Sequence, residues 1–320
     1  MIADLFDSAQ TLLFEGFVQP LVFSLGLGNL LEDAYAATGW LLLGLLQVAA
    51  MLLIMLVLER RWPVEPVTDR PAVAVDVIYS LVHRLGLFRL VLFFTLEPLW
   101  DALLGQARLW GLETWHLDSL WPGVTDVGWV SLLIYLVLFD FVGYWVHRAQ
   151  HQFHWWWALH AVHHSQRQMT VWSDNRNHLL DDALLASVFA LLAVLVGVEP
   201  GQFVAITVIT RLLQSLQHAN LRWHFGRVGE RLLVSPRFHR LHHSIGIGHE
   251  SSGRGTLGGH NFGVLLPWWD QLFGTANFDL RYDPTGVRDQ LPDEGAVDYG
   301  QGFWAQQGLG LKRMLGWAPR

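Results

Sequence analysis

Long apolar segments, each ended by a few charged residues, are the strongest pattern in the sequence. A helix needs about 20 predominantly apolar residues to cross a bilayer. Residues 34–58 provide 25 in a row without a charge, and Glu59, Arg60 and Arg61 follow them. We therefore predict a membrane-spanning helix at 34–58, with residues 11–31 as a weaker candidate because polar side chains interrupt it.

Two further apolar segments contain charged residues. Arg84 and Arg89 lie within residues 78–100, and Asp140 lies within residues 128–146. Charged side chains at membrane depth normally face a protein interior or a wet cavity. We therefore expect residues 78–100 to pack inside a helical bundle and residues 128–146 to form another crossing.

The segment after residue 182 predicts a helical hairpin. Residues 183–198 are uncharged, but a helix of this length spans only about 24 Å. Glu199, Pro200 and Gly201 then mark a turn, and residues 202–210 are apolar again. We expect this hairpin to enter and leave the membrane on the same side.

The arginines of the connecting segments predict the orientation. Residues 59–76 carry three arginines, whereas residues 101–127 carry only Arg108. The positive-inside rule therefore places residues 59–76 in the cytoplasm. Two more crossings return the chain to that side near residue 147, so the polar segment that follows is expected there as well.

These patterns together predict an all-α integral membrane protein. We expect about four transmembrane helices plus the hairpin, with a cytoplasmic helical cap rich in histidine. The predicted regions are membrane helices at 1–125, a histidine-rich domain at 126–280 and a cytoplasmic tail at 281–320. The single lysine among 21 basic residues indicates an arginine-biased, bacterial sequence, for which the inner membrane is the expected location.

Composition narrows the chemistry. Charged residues make up 15% of the 320 residues, well below the roughly 25% of soluble domains. The formal net charge of −7 offers no basic surface for nucleic acid. The chain has no cysteine, which excludes disulfides, thiolate nucleophiles and cysteine-ligated clusters. A metal must then be held by nitrogen or oxygen, and the 16 histidines become the main candidates.

Eight of these histidines form three clusters. On a helix, residues three and four apart share a face, so each cluster presents its imidazoles in one direction. Eight ligands exceed the six positions of one octahedral ion, which indicates two metal ions, and imidazole suits Zn, Cu, Fe and Ni. Arg148 stands where a zinc protease helix needs its glutamate base. The clusters are His147 and His151; His160, His163 and His164; and His239, His242 and His243.

Other polar residues are candidates for supporting roles. His218 closes the second arm of the hairpin and is the favoured ninth ligand. His178 lies just before the hairpin. We expect it either to bind a metal directly or to hydrogen-bond to a metal-bound histidine, and both roles are equally expected. Asp140 and Tyr144 lie on the same stripe of a helix as the first cluster, where Asp140 either supports a metal-bound histidine or balances an intramembrane arginine. Asn220 and Asn261 are further outer-shell candidates, while His154 and His224 are expected to be exposed or capping residues.

The sequence around these clusters resembles the fatty acid hydroxylase and sterol desaturase superfamily of membrane-bound non-haem diiron oxygenases. The resemblance runs from about Asp140 to Thr275. It rests on the three histidine boxes and on the motifs Asp140-x-x-x-Tyr144-Trp145-x-His147-Arg148, Trp157-x-x-His160, His164-Ser165, Ser235-Pro236-Arg237-x-His239-Arg240, Asn261-Phe262-Gly263, and Trp269-Asp270 leading to Phe273-Gly274-Thr275. Phe262 stands where many members have tyrosine.

The resemblance implies two Fe²⁺ ions held by the eight box histidines and by His218, with O₂ as co-substrate. It implies oxidation of a lipid C–H bond, with hydroxylation favoured over desaturation or ether-lipid cleavage. The electrons would come from an external donor protein on the cytoplasmic face. The arginines expected to steer an acidic donor are Arg222, Arg227, Arg231, Arg237 and Arg240.

Two other classes compete with this interpretation. A transmembrane haem carrier needs one histidine on each face of its iron, which leaves the two H-x-x-H-H triplets unexplained. A divalent-metal transporter or sensor would place its ligands near the bilayer midplane, whereas these clusters fall at predicted helix ends. A Soret band would identify the first class, and metal uptake by proteoliposomes would identify the second.

Overall fold

The computed structural model describes residues 2–246 and 259–318, and these residues form α-helices and connecting loops without a β-strand. The helices are α1 (Ile2–Leu13), α2 (Gln19–Ser24), α3 (Leu31–Ala50), α4 (Leu56–Arg61), α5 (Arg70–Arg84), α6 (Leu87–Thr95), α7 (Glu97–Leu109), α8 (Gly128–Gln152), α9 (His154–His164), α10 (Leu179–Val196), α11 (Pro200–His218), α12 (Gly226–Gly229), α13 (Pro236–His242), α14 (Trp268–Phe273) and α15 (Phe303–Met314).

Three helices are long and apolar enough to cross a membrane. They are Gly28–Arg61, in which α3 and α4 join through a short π-helix, together with α8 and α10. The pair α5 and α6 would be a fourth, bent by 52° at its centre. Most residues in these helices are not buried by protein, which leaves apolar surface for lipid. The predicted all-α membrane fold is confirmed.

The apolar segment at 78–100 is divided among α5, α6 and α7. The chain breaks at Gly86, which adopts a left-handed φ of 80°, and α6 begins directly after it. The break lies against α3, where a Cβ on Gly44 would come within 1.7 Å of the carbonyl oxygen of Arg84. Only glycine permits this backbone contact. The hydropathy pattern could not reveal it, since both halves are apolar.

Only the first half of this segment packs inside the bundle: Arg84 on α5 is buried, whereas α6 has no buried residue. The guanidinium of Arg84 donates to Gln47 Oε1 at 2.6 Å, to Asp174 Oδ2 at 2.5 Å and to Ser215 Oγ at 2.5 Å. These three partners come from α3, from the segment before α10 and from α11. One intramembrane charge therefore joins three distant parts of the chain.

The predicted hairpin forms from α10 and α11. α10 ends at Gly197, which has a left-handed φ of 67°, and Pro200 occupies the first turn of α11. This is the usual placement of glycine after one helix and proline at the start of the next. α11 runs farther than the apolar pattern indicated and ends at His218.

Residues 281–318, expected to be a tail, fold against the histidine-bearing helices. α15 packs on α9 and also touches α5. Gln307 on α15 accepts a hydrogen bond from Leu179 N and donates to Tyr79 Oη, while its carbonyl oxygen bonds to a ring nitrogen of His178. The C-terminal helix thereby holds the start of α10 beside α9.

Candidate metal centre

The first two histidine clusters lie on consecutive helices. His147 and His151 occupy the last two turns of α8, and their ring centroids are 5.2 Å apart. His160, His163 and His164 lie on α9, which begins after an extended residue at the end of α8. Because this connection is a single residue, the two clusters face each other across a tight corner.

The third cluster lies on the short helix α13. Ser235 caps this helix by accepting a hydrogen bond from Phe238 N, and Pro236 occupies its first turn. Both residues favour a helix start. His239, His242 and His243 follow and are buried, and the rings of His239 and His243 are 4.8 Å apart.

Two groups of four buried or nearly buried histidines result, and within each group the ring nitrogens lie within 4.8 Å of one another. Neither group corresponds to a sequence cluster. His163 and His164 are neighbours in sequence but belong to different groups, as do His242 and His243. The first group is His147, His151, His164 and His242, and the second is His163, His218, His239 and His243.

The second group is connected by contacts between Nε2 atoms. His218 Nε2 lies 3.1 Å from His163 Nε2 and 3.0 Å from His239 Nε2, which in turn lies 3.1 Å from His243 Nε2. The other ring nitrogen of His218 lies 2.8 Å from the carbonyl oxygen of Gln214, which can only accept. The lone pair on His218 Nε2 therefore points at the other rings. A cation placed among these nitrogens would accept their lone pairs as ligands. This donor set fits a metal ion with nitrogen ligands.

Backbone carbonyls orient two rings of the first group. Nδ1 of His147 donates to the oxygen of Phe262 at 2.9 Å, and Nδ1 of His242 donates to the oxygen of His260 at 2.7 Å. This fixes the tautomer of each ring and leaves Nε2 as the nitrogen with a lone pair, the usual arrangement of a metal-bound histidine. The first group therefore also fits a metal ion.

The two groups are direct neighbours. The rings of His164 and His243 stack with centroids 4.2 Å apart and an interplanar angle of 19°. The rings of His242 and His243 are 5.3 Å apart. Two ions held here would be close together in one buried site.

His160, predicted as a ligand, lies outside both groups but between them. Its ring centroid is 5.1–5.3 Å from those of His147, His151, His163 and His164. Nδ1 lies 3.0 Å from Asp181 Oδ2, while the buried Nε2 atom has no hydrogen-bond partner among the described residues. The ring is thus held by a carboxylate with its second nitrogen directed inward.

Asp181 is the main residue that sequence reasoning missed. Its carboxylate also accepts hydrogen bonds from Gln150 Nε2 at 2.8 Å and from Trp156 Nε1 at 2.6 Å. It therefore links α8, α9 and α10. The available signal was a pair of acidic residues, Asp181 and Asp182, at the start of an otherwise uncharged membrane helix, where a charge normally has a specific partner.

Asp140 has neither of the two roles expected from the sequence. Its carboxylate accepts hydrogen bonds from Leu265 N at 2.7 Å, Leu266 N at 3.1 Å and Trp269 Nε1 at 2.8 Å. These partners are neither histidines nor arginines. Asp140 instead fastens the loop before α14 to the membrane helix α8, and backbone N–H groups satisfy its charge.

His178 and Tyr144 also lie away from the two groups. His178 uses Nε2 on Gln307 O at 2.9 Å and accepts at Nδ1 from Leu180 N, so it caps α10. The hydroxyl of Tyr144 lies 3.1 Å from Thr275 Oγ1 and accepts from Arg148. Both ring nitrogens of His178 are therefore occupied by contacts that do not involve the clusters.

The two asparagines support the backbone. Asn220 Oδ1 accepts from Val64 N and Glu65 N, which ties the loop after α4 to the end of α11. Asn261 adopts a left-handed φ of 60° and donates from Nδ2 to Phe238 O at 3.0 Å. Asn261 thus holds α13, and through it the third cluster. The sequence does not reveal either role, because the hydrogen-bond partners of both asparagines are remote in the chain.

His154 and His224 are exposed or capping residues, as expected. Both are exposed, and His224 Nδ1 accepts from Gly226 N as a cap. His116 is exposed, whereas His83 is buried and lies 3.2 Å from Asp182 Oδ2. His249 lies outside the described residues.

Burial dominates the electrostatics of the clusters. It lowers the pKa of His163, His239 and His242 well below the ordinary value, and the neighbouring histidines add to the effect. These rings are therefore neutral near pH 7, the form that binds metals. Burial also raises the pKa of Asp270 to about 6, although Thr275, Gly263 and Phe262 donate to its carboxylate.

Two of the five arginines expected to attract an electron donor are not available. Arg237 is buried in an ion pair with Glu230 at 3.1 Å, and Arg240 is buried against Glu65 at 2.5 Å. Arg222, Arg227 and Arg231 are exposed. Helix α13 has no exposed face, because its histidines and its arginines are all buried.

Comparison with known proteins identifies one family. The fatty acid hydroxylase family model matches residues 132–275. The ornithine lipid hydroxylase of Rhizobium tropici is 26% identical over 247 residues, which are 77% of this chain and 69% of that protein. A Delta(7)-sterol 5(6)-desaturase of Aspergillus fumigatus is 26% identical over 62% of this chain and 64% of its own length.

A third relative is the alkylglycerol monooxygenase of Caenorhabditis elegans. It is 26% identical over 61% of this chain, and the match spans only 34% of its own length. No solved structure matches the chain significantly.

Proposed function

The chain belongs to the fatty acid hydroxylase and sterol desaturase superfamily, and from this we propose that it is a membrane-bound, O₂-dependent oxidoreductase that hydroxylates a C–H bond of a lipid. The observation that carries the proposal is the pair of adjacent four-histidine groups, two of whose members lie at the end of the membrane helix α8. Eight nitrogen donors in one buried site suit two redox-active ions.

We assign one iron to each group. His147, His151, His164 and His242 would hold the first ion, with His160 beside them, and His163, His218, His239 and His243 would hold the second. Bound iron would supply O₂ activation and the oxidation of the substrate C–H bond. Spacing alone does not choose iron over zinc or copper; the kinship to hydroxylases, desaturases and monooxygenases favours it.

The residues of this chain would prepare and protect the site. The carbonyl oxygens of Phe262 and His260 hold two rings with Nε2 facing inward. Phe262 itself is fully buried, and its ring lies 5.2 Å from that of His151. Its apolar ring lies where many relatives have tyrosine, and it excludes water from one side of the first group. Such exclusion protects a reactive oxidant from side reactions.

The substrate would enter from the bilayer. The relatives are named for an ornithine lipid, an alkylglycerol and a sterol, which share only lipid character. An apolar cavity recognises such molecules by shape. Hydroxylation demands less of the pocket than desaturation, because desaturation needs a second hydrogen abstraction from a rigidly held neighbouring carbon. Electrons would come from a separate protein on the histidine side of the membrane.

The decisive experiment compares the lipids of cells with and without the gene, followed by ¹⁸O₂ labelling of the lipid that changes. We expect the product to gain one oxygen atom that carries the label. A His242→Ala variant should abolish the change, whereas His116→Ala, at an exposed histidine far from the groups, should keep it.

Each alternative has its own outcome in this experiment. Loss of two hydrogens without a gain of oxygen would identify a desaturase, and cleavage of an alkyl ether would identify an ether-lipid monooxygenase. An unchanged lipidome with a competent electron donor, together with metal uptake by proteoliposomes, would identify a transporter. The location of the groups at helix ends argues against transport, since transporter ligands lie near the midplane.

A further inference from the structure

An apolar surface outside the histidine site remains unexplained by the proposed reaction. Its side chains are large, and they are between 41% and 72% exposed. They come from two segments, residues 226–233 and the short helix α14. Neither segment is long enough to cross a membrane. We call this surface the α14 face, and its members are Val228, Leu232, Leu233, Trp268 and Leu272.

Reciprocal hydrogen bonds make the two segments one surface. Arg231 Nη1 donates to Gln271 Oε1 at 3.2 Å, and Gln271 Nε2 donates to the carbonyl oxygen of Arg231 at 3.0 Å. Gln271 lies between the exposed Trp268 and Leu272 on α14. These hydrogen bonds hold residues 226–233 beside α14.

The α14 face is attached to a membrane helix. Trp269 Nε1 donates to Asp140, which lies in the middle of α8, and the ring of Trp269 is 4.8 Å from that of Phe141. One turn farther along α8, the ring of Trp145 is 4.9 Å from that of Phe273. These contacts place α14 beside the half of the membrane span that leads into the first histidine box.

An exposed aromatic side chain of α8 lies beside the end of α14. Trp145 is 41% exposed on the membrane helix, and it touches Phe273 at the end of α14. Tryptophan at the boundary of a membrane helix is typical of the interfacial region. A lipid that covers Trp145 would lie beside the end of α14, where the guanidinium of Arg148 is 5.4 Å from the Trp145 ring.

The charges beside this face are basic and exposed. Arg227 directly precedes Val228, and Arg231 directly precedes Leu232. Arginine beside leucine and tryptophan is the composition of membrane-surface segments, in which the apolar side chains enter the acyl boundary and the cations meet phosphates. A docking site for an acidic protein would need a broader basic surface, but Arg237 and Arg240 are buried in ion pairs.

We propose that the α14 face inserts into the interfacial region of the leaflet on the histidine side, with Arg227 and Arg231 at the lipid headgroups. The proposal is independent of the reaction that the histidines catalyse. It explains why Leu233 is exposed only two residues before Ser235, the cap of α13. Insertion at this point would fix the depth of α13 and of the third histidine box relative to the bilayer.

The absence of native cysteine permits a direct test. Single cysteines replace Leu272 and Val228 in the full chain, carry a nitroxide label, and are studied in vesicles of phosphatidylcholine and phosphatidylglycerol. The measurement is the accessibility of the label to O₂, which concentrates in lipid, against a water-soluble nickel complex. Leu133, exposed on α8, serves as the lipid control, and the exposed Asp293 serves as the water control.

The expected result is that labels at 272 and 228 behave like the label at 133, with access to O₂ and little access to nickel. Nickel access equal to that of the label at 293 would overturn the proposal. Nickel protection that develops only after an acidic ferredoxin is added would also overturn it, because the surface would then be a protein docking site. Wild-type iron content in each labelled protein shows that the substitutions leave the fold intact.

Discussion

The Nδ1 atom of His160 lies 3.0 Å from the Oδ2 atom of Asp181, and the same carboxylate accepts hydrogen bonds from Gln150 and Trp156. Gln150 immediately precedes His151, so the carboxylate acts on both of the first two histidine boxes. A histidine that donates one nitrogen to a carboxylate presents a more basic second nitrogen to a metal. Asp181 therefore positions His160, which lies beside both groups, and holds Gln150 next to His151 of the first group.

We predict that Asp181→Ala lowers iron affinity by about 10–100-fold, the usual effect of removing a carboxylate partner of a ligand histidine. Titration of the metal-free protein with Fe²⁺ against a competing chelator measures this. Asp182→Ala is the matched control, because Asp182 lies next in the chain but pairs with His83. Equal affinities in the two variants would contradict the role of Asp181.

The division of neighbouring histidines between two groups predicts a pattern of iron content. The parent protein should hold about two irons per chain, whereas His163→Ala and His164→Ala should each retain about one, lost from different groups. Elemental analysis after anaerobic reconstitution measures the content, and Mössbauer spectra of the two variants should differ. Retention of two irons in either variant, or identical spectra from both, would refute the division.

The lowered pKa values of His163, His239 and His242 predict the pH dependence of stability. In the unfolded chain these rings take up protons below about pH 6.5, while burial keeps them neutral in the folded chain. The unfolded state then binds more protons, so the free energy of unfolding falls as the pH falls below 6.5. The slope should approach about 4 kcal/mol per pH unit for three rings.

Thermal unfolding of the metal-free protein in lipid nanodiscs between pH 5 and 8 measures this dependence. Variants with asparagine at one of the three positions should show a smaller slope. A midpoint that does not change between pH 6.5 and 5 would contradict the burial of neutral histidines.

The contact between α15 and the start of α10 depends on Gly310. A Cβ at this position would lie 2.6 Å from Cδ2 of His178 and 3.3 Å from the carbonyl oxygen of Ala158. Gly310→Ala should therefore destabilise the protein by about 1–3 kcal/mol, the usual cost of overpacking. Gly308→Ala in the same helix meets nothing within 4 Å and should stabilise by up to about 1 kcal/mol.

Thermal unfolding measures both glycine variants under the same conditions. If Gly308→Ala and Gly310→Ala change the midpoint in the same direction, the packing of α15 on His178 is not as described.

Cysteine labelling tests the predicted orientation. A cysteine at Asp293 should react with an impermeant reagent from the cytoplasmic side, and one at Ser119, also exposed, should react from the opposite side. Labelling of both 293 and 119 from one side would show that α8 does not cross.

The sequence was sufficient for features that depend on local spacing. Apolar segments of membrane length identified the spans, because hydropathy is a property of contiguous residues. Histidines three and four apart identified the boxes, because one helix face gathers them. The glycine and proline signals predicted the hairpin, and the end of its second arm correctly drew attention to His218, which lies in the second group.

Tertiary structure alone decided which residues meet. Successive helical residues point about 100° apart, so His163 and His164 diverge, and only the packing of α8, α9, α11 and α13 determines the group that each one joins. The contact between Asp181 and His160 spans 21 residues, and that between Asp140 and Leu265 spans 125. A carboxylate finds its partner through packing between distant segments, and no local pattern contains that information.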